Sequence, residues 1–252
     1  MLKFGKIILL ASMSLATISC LRQTESISPV AEVRTMSQLQ REAVMASAIQ
    51  ASGNTDLSTA SKVSIESNSK DPSFFYLNLK YNILNMDINE DSTINNGFEF
   101  VGNSILKAFA QIFIRLIGGK TVEIENVDLP LDNLKLDFNI IKSFKIKKVY
   151  IEYNKDFDAS TGHKANFSFV KNFNLLKASG KNSTIISYEK SQNNCNQKCL
   201  NFDVVNGDLY DLIKNNSVIQ LKPELKIIEL PAVEELKLDG RIEMQIGLKL
   251  PF

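Results

Sequence analysis

Three cysteines carry the most reactive side chains of this 252-residue chain, and two of them lie close together. Cys195 and Cys199 occupy a polar segment, whereas Cys20 follows a long uncharged run. In an oxidising compartment the close pair is expected to form a disulfide that pins a turn and removes little chain entropy. A zinc site needs more ligands than the single histidine and this one cysteine pair supply. We therefore expect a structural Cys195–Cys199 disulfide, with two free thiols as the alternative.

The start of the chain resembles the signal peptide of bacterial membrane lipoproteins. Lys3 and Lys6 precede an apolar run that is too short to span a bilayer, and small residues lead up to Cys20. In that family the cysteine becomes the lipidated first residue, so the resemblance implies an acyl chain such as palmitate on Cys20. The lipobox is imperfect, because Thr17 stands where the family usually has leucine. Cleavage after Ala16 without lipidation, and an uncleaved membrane anchor, are the alternatives.

The number of cysteines supports lipidation of Cys20, and the residue after Cys20 indicates which membrane holds the protein. Assigning Cys20 to lipid leaves an even number of cysteines for disulfide formation. Leu21 follows Cys20, whereas an aspartate there resembles the inner-membrane retention signal of enteric-type bacteria. The resemblance therefore implies a protein of the cell envelope, held at the outer membrane rather than the inner one. Both a periplasmic and a surface-facing domain are compatible with this location.

Charge and composition argue against a nucleic-acid partner. Two of the 29 lysines and arginines and none of the 28 acidic residues lie in residues 1–19. The remaining 233 residues carry 27 basic and 28 acidic side chains, a net charge of −1. Nucleic-acid binding needs a basic patch or stripe, which this balance does not predict. A hydrophobic content of 44%, with 15 phenylalanines, instead predicts a globular body with a large core.

No other group of residues predicts catalysis, a metal or a cofactor. Asp87 begins a partial match to an EF-hand loop, but Ser92 stands where that loop needs glycine and Phe98 where it needs glutamate. His163 lies in a turn-like stretch, and a histidine-based triad would depend on it alone. The sequence holds neither a Gly-rich phosphate loop nor a G-x-S-x-G elbow. We assign no catalytic residue, metal ligand or cofactor.

Residues 20–70 are predicted to form a polar tether that carries one surface helix near 29–51. The segment is rich in Ser, Thr, Gln and Asn, and the apolar side of its helix is thin. Ser37 with Gln40 is a capping box for a shorter version of this helix, and Gly53 is its stop signal.

Residues 71–252 are predicted to form a single β-rich globular domain. Apolar and polar residues alternate in short runs that turn signals separate, which is typical of half-buried strands. The clearest runs are 77–83, 134–140, 144–153, 165–169, 184–188 and 236–250. The pattern predicts a mainly β, β-rich α+β fold, with an antiparallel sandwich or curved sheet packed against one apolar helix near 103–117.

The predicted helix at 103–117 is apolar on nearly every side. Its interior polar residues form one narrow stripe at a spacing of four: Lys107, Gln111 and Arg115. At about 1.5 Å per residue it is too short to cross a hydrocarbon core, so protein or lipid must cover it. The main interpretation is a core helix packed across the sheet. The alternative is an apolar groove beside Phe109 and Phe113 that binds a lipid or another hydrophobic ligand.

These features favour a lipid-anchored envelope protein whose β-rich domain has a non-catalytic binding or structural role. Its expected partners are the membrane, through the anchor, and a protein or a lipid. A lipid-binding or lipid-transfer module is the first alternative, and an enzyme without a recognisable motif is the second. The pattern is weakly similar to lipoproteins with elongated, curved-sheet lipid-binding domains and to the small sandwich of water-stress and hypersensitive-response proteins. Neither similarity rests on a motif.

Overall fold

The described part of the chain is built mainly from antiparallel strands. The computed structural model describes residues 36–53, 57, 60–84, 98, 102, 105–106, 126–131, 135–154, 166–178, 184–229 and 237–250. The chain divides into two compact units, Met1–Ser37 and Gln38–Phe252, and all elements named here belong to the second. In chain order they are α1 (Gln38–Ala51), β1 (Lys62–Asn68), β2 (Asp71–Ile83), β3 (Val127–Pro130), β4 (Ile141–Tyr153), β5 (Val170–Lys177), β6 (Thr184–Glu189), a 3₁₀ helix (Lys190–Gln192), β7 (Cys199–Val204), α2 (Tyr210–Asn215), β8 (Val218–Ile227) and β9 (Leu238–Lys249).

The strands form one nine-stranded sheet in the order β1-β2-β9-β4-β7-β6-β5-β8-β3, and every pairing is antiparallel. This confirms the predicted mainly β fold. The runs predicted at 77–83, 144–153, 184–188 and 236–250 correspond to β2, β4, β6 and β9. Asp239 and Gly240, a dipeptide that is typical of turns, lie inside β9 and pair with β4.

One face of the sheet is apolar across its whole width. Leu77 of β2 lies opposite Ile246 of β9, which in turn lies opposite Phe144 of β4, and all three are buried. Because side chains alternate between the two faces of a strand, these registers align one apolar set per strand on the same side. In the three longest strands, β2, β4 and β9, the buried residues of this face are Phe75, Leu77, Leu79, Tyr81, Phe144, Ile146, Val149, Ile151, Ile242, Met244, Ile246 and Leu248. Mostly polar side chains, together with Phe74 and Tyr76 of β2, occupy the opposite face.

A β-bulge explains a break in the alternation of β4. From Phe144 the apolar residues of this strand step by two to Ile146 and then by three to Val149. The pairing with β9 is irregular between Ile146 and Lys148, so Lys147 is the extra residue. The bulge restores Val149 and the residues after it to the apolar face.

The sheet curls where β7 meets β6. The two strands pair at only two positions, Ile186↔Val204 and Ser187↔Asp203. On the apolar face the ring centroids of Phe202 (β7) and Phe173 (β5) lie 5.7 Å apart, although β6 runs between their strands. Strands two apart in a flat sheet are separated by about 9.5 Å, so these side chains lean together across β6. The apolar face is therefore concave at this point.

Two predicted strands are turns in the structure. In the run 134–140, of which residues 135–140 are described, the Asp137 carboxylate accepts a hydrogen bond from Asn139 N–H (2.8 Å), and the Asp137 carbonyl accepts those of Ile140 and Ile141. These local bonds compete with a strand ladder and bend the chain into the start of β4. In the run 165–169, residue 165 lies outside the described part, and Phe167 and Phe169 are buried in a turn closed by the bond from Val170 N–H to Phe167 O (3.0 Å). Burial alone does not identify a strand.

Helix α1 has the shorter predicted form. It begins at Gln38, directly after Ser37, and ends before Gly53, whose φ of 75° lies in the left-handed region. A Cβ atom at Gly53 would also lie 2.8 Å from the carbonyl oxygen of Lys135, so glycine is required there for two reasons.

Helix α1 and strand β1 pack with the body, which differs from the expected tether with a surface helix. Val44, Ala48 and Ala51 of α1 are fully buried, and the Ala51 carbonyl accepts a hydrogen bond from Asp137 N–H (2.8 Å). Strand β1 extends the sheet by pairing with β2 along its length. Small side chains on one side of α1 allow this close packing even though the apolar stripe is thin. The predicted signal peptide lies outside the described residues.

Strand β8 lies next to the end of the sheet and contains a proline. Gln220 O accepts from Ala178 N–H (3.0 Å), so the even-numbered residues of β8 direct their backbone groups toward β5. The backbone nitrogen of Pro223 therefore faces the opposite edge, two residues beyond the last pair with β3, Val127↔Leu221. A proline there loses no bond of the β5–β8 ladder, and it leaves that edge without a donor at position 223.

Candidate functional site

The Cys195–Cys199 disulfide, which the spacing predicts, closes a tight corner between β6 and β7. The two Cα atoms lie 5.8 Å apart. Inside the ring, Asn196 and Gln197 both have positive φ angles, 49° and 64°, and Lys198 N–H donates to Cys195 O (3.0 Å). Two successive positive φ angles with this bond define a type I′ turn. Gln197 occupies a position that glycine normally takes.

This corner holds an aromatic side chain in the core. The carbonyl oxygen of Gln197 accepts the backbone N–H of Phe167 at 2.7 Å. Phe167 is fully buried, and its ring centroid lies 4.5 Å from that of Tyr153. Lys190 Nζ adds a hydrogen bond to Ser168 O (2.7 Å), so two bonds fix the Phe167 turn to the disulfide region. The disulfide is structural in this setting, because it fixes the carbonyl that anchors a core residue.

Asn193 ties the same corner to the sheet. Its side-chain amide donates to Cys199 O (2.8 Å) and to the Tyr188 hydroxyl (3.1 Å). Burial raises the pKa of Tyr188, and the bond from Asn193 partly opposes this shift. The tyrosine therefore serves as a buried, hydrogen-bonded core residue.

A cluster of polar and aromatic side chains lies at one end of the polar face; we call it the Tyr150 cluster, comprising Asn82, Tyr150, Glu152 and Arg241. These residues come from three neighbouring strands, β2, β4 and β9, and the register aligns Asn82, Arg241 and Tyr150 in one row. Arg241 Nε donates to Asn82 Oδ1 (3.2 Å), and its guanidinium carbon lies 5.3 Å from the centroid of the Tyr150 ring. The arginine is thus held between an amide and an aromatic face.

Tyr150 is fixed in turn by Glu152. Its hydroxyl donates to Glu152 Oε2 at 3.0 Å. Partial burial, together with this bond to a carboxylate, raises the pKa of Tyr150 to about 12, although Arg241 opposes the shift. The hydroxyl therefore remains protonated at neutral pH and acts as a hydrogen-bonding group.

The rest of the polar face is joined by cross-strand pairs. Gln245 Nε2 donates to Asn78 Oδ1 (3.0 Å), and Lys80 Nζ lies 4.0 Å from Glu243 Oε1. At the other end of β2, the Lys249 ammonium bonds the Asp71 carboxylate, and this bond together with that of the Ser73 hydroxyl lowers the pKa of Asp71 to about 2. The face offers amides, charges and the aromatic rings of Tyr150, Tyr76 and Phe74, which can bind by hydrogen bonding and stacking.

Most of the sequence-predicted site residues lie outside the described part of the chain. These are Cys20, Phe109 and Phe113; His163, to which no role was assigned, also lies outside the described part. Of the helix predicted at 103–117, only Ile105 and Leu106 are described, and both are buried with helical backbone.

Helical residues just before this segment contact the apolar face. The ring centroid of Phe98 lies 6.1 Å from that of Phe144, and a Cβ atom on Gly102 would lie 2.9 Å from Ile242 Cγ2. Phe98 and Gly102 are helical although they precede the predicted start of the helix. Phe98 and Gly102 therefore pack on the sheet.

The Tyr150 cluster was missed by the sequence analysis. In β4, Tyr150 lies between the apolar residues Val149 and Ile151, and Glu152 follows Ile151. Arg241 likewise precedes an apolar residue of β9, Ile242. The residues that could have indicated this cluster are the polar ones in the alternating pattern of each strand, which do not contribute to the core.

Comparison of the chain with protein-family models, with curated proteins and with solved structures finds no match. None of the helices in the described ranges has the length and apolar character needed to cross a membrane. Among the described residues, no group of three or more His, Cys, Asp or Glu side chains could hold a metal ion.

Proposed function

We propose that the chain is a lipid-anchored protein of the cell envelope whose β-sheet domain binds a protein partner without catalysis. The anchor rests on Cys20 and the apolar run before it. The binding role rests on the Tyr150 cluster, where an arginine and a tyrosine are held side by side on the polar face. The outer membrane is the proposed location, because Leu21 follows Cys20.

Tyrosine and arginine are the residue types that dominate the energy of protein interfaces. In this cluster each is already fixed by a neighbour: Arg241 by Asn82, and Tyr150 by Glu152. A side chain that is ordered before binding loses less conformational entropy on contact. Pre-ordering of this kind supports a binding surface rather than a merely solvated face.

The anchor is tested by mass spectrometry of the protein isolated from native membranes. We expect a mature chain that begins at Cys20 and carries acyl mass, and a Cys20→Ser variant that leaves the membrane fraction. Cleavage after Ala16 without acyl mass would contradict the anchor. A co-purified lipid that is lost on Phe109→Ser and Phe113→Ser substitution would support the lipid-binding alternative instead.

The binding surface is tested by site-specific photo-cross-linking in the native envelope. A photoreactive residue replaces exposed Lys148, whose register in β4 directs it to the same face as Tyr150. The matched control carries it at exposed Lys222 on β8, on the polar face but far across the sheet. We expect a discrete cross-linked product from position 148 that Tyr150→Ala or Arg241→Ala reduces at least tenfold and Gln245→Ala leaves intact. Equal products from both positions, or none from position 148, would contradict the proposal.

A further inference from the structure

Strand β1 leaves one edge of the sheet open. Leu250 N–H donates to Ser73 O (2.9 Å), so the odd-numbered residues of β2 direct their backbone groups toward β9. The even-numbered residues of β2 therefore face β1, in agreement with the bond from Ser61 N–H to Lys80 O (2.7 Å). In the β1–β2 register their partners are the even-numbered residues of β1.

The backbone groups of Val63 and Ile65 consequently point away from the sheet. In the described part of the chain no strand pairs with this side of β1, which ends the strand order. No proline interrupts the edge, and its register is regular up to Ser67. This contrasts with β8, where Pro223 removes a donor. An unprotected edge is a template for a further strand.

The side chains of this edge are complementary to themselves. Lys62 and Glu66 lie at equal distances on either side of Ser64, and all three are exposed. A two-fold axis through Ser64 would place Lys62 of one copy opposite Glu66 of the other, twice per pair. The same register pairs Val63 with Ile65, whose free backbone groups then exchange hydrogen bonds. A shift by one residue in either copy removes the charge pairing.

Among the residues that the structure describes, the charges of β1 have no opposite charge paired with them in their own sheet. Lys62 lies directly opposite Lys80, and like charges at this position repel. Lys80 itself lies near Glu243 on its other side. Glu66 lies opposite Tyr76, and no described cation pairs with it. A second copy would supply the missing opposite charge to both residues.

We propose that two copies of this chain join through antiparallel pairing of β1 with β1, in the register that places Ser64 opposite Ser64. The interface consists of backbone hydrogen bonds between Val63 and Ile65, two Lys62–Glu66 pairs and the half-buried side chains of Val63 and Ile65. This pairing is independent of the Tyr150 cluster, which lies on a face and not on the edge.

Cysteine cross-linking of the full chain in native membranes tests the register. Ser64 would meet its copy at a non-hydrogen-bonded position, where Cα atoms are about 4.5 Å apart and a disulfide forms readily. Under mild oxidation we expect Ser64→Cys to give a covalent dimer. The matched control is Ser61→Cys, whose copies in this register would be about 20 Å apart. Equal dimer from both variants, or none from Ser64→Cys, overturns the proposal.

Charge reversal in the Ser64→Cys background tests the pairing of Lys62 with Glu66. We expect Lys62→Glu or Glu66→Lys alone to reduce cross-linking to the level of the Ser61→Cys control, because each creates like-charge contacts. The combined reversal restores opposite charges and should restore the dimer. The two single variants, carrying different tags, should also cross-link with each other when co-expressed. Cross-linking that is indifferent to these changes, or that the combined reversal fails to restore, overturns the register.

Discussion

At the scale of single residues, the turn inside the disulfide ring is built from a strained backbone. Asn196 and Gln197 adopt left-handed conformations, and asparagine tolerates this better than glutamine does. This conformation places the Gln197 carbonyl where it accepts a hydrogen bond from the backbone N–H of the buried Phe167. That bond uses the backbone only, so the side chain at 197 is free to change.

We expect Gln197→Gly to raise the free energy of unfolding by about 1 kcal/mol, since glycine adopts a positive φ without steric strain. Urea denaturation under oxidising conditions measures the change. The matched control is Lys198→Gly, one residue later, where φ is not positive. There glycine should lower the free energy of unfolding by about 0.5 kcal/mol. A loss of stability at both positions would show that Gln197 is not strained.

At the scale of elements, alternating apolar and polar residues correctly predicted the strands that have one apolar and one polar face. The same pattern predicted a strand wrongly where local hydrogen bonds form a turn. Strands β2, β4 and β9 follow their apolar periods closely, including the bulge at Lys147. The run at 134–140 has the same period, but the hydrogen bonds of Asp137 turn it away from the sheet. Strand β8 went unpredicted because Pro223 interrupts it, although an edge position tolerates proline.

The disulfide is the element-scale feature with the clearest test. From the chain-entropy relation for a five-residue ring, we expect the Cys195→Ala/Cys199→Ala variant to lose about 2 kcal/mol of unfolding free energy. The loss should be accompanied by local opening, because the ring positions the partner of Phe167 N–H. Hydrogen exchange should therefore accelerate at Phe167 more than at Ile246 in the centre of the sheet. Equal acceleration at both amides would mean that the disulfide stabilises the fold only globally.

At the scale of the whole molecule, one sheet carries both the core and the candidate binding surface. The core lies on the apolar face and includes an aromatic cluster in which the ring of Phe202 contacts the rings of Phe173 and Tyr188. Sequence periods predict which residues face inward, but not that β7 and β6 share only two pairs. The curl depends on contacts between distant segments, and for the same reason the Tyr150 cluster could be assembled only from the register of β2, β9 and β4.

Phe202→Ala tests whether the curl is a centre of stability. We expect a loss of about 3–5 kcal/mol, because the buried ring contacts aromatic side chains from two other strands. Phe138→Ala is the matched control. Phe138 is half-buried and contacts Tyr210 at the periphery, with centroids 5.9 Å apart, so its loss should be about 1 kcal/mol. Thermal unfolding of the two variants measures the difference, and equal losses would contradict a special role for the curl.

Pro223 also bears on the stoichiometry of any assembly that the sheet forms. A sheet with two receptive edges can add copies at both ends and grow into a fibre. At the other end of this sheet, β3 covers only Val218–Leu221 of β8, and beyond it the β8 edge lacks a donor at position 223, whereas β1 presents an uninterrupted edge. If β1 joins a second copy, the receptive edge of each copy is consumed in the same event. Only one of the two sheet edges can therefore pair with a further strand along its length, and association through β1 stops at two chains.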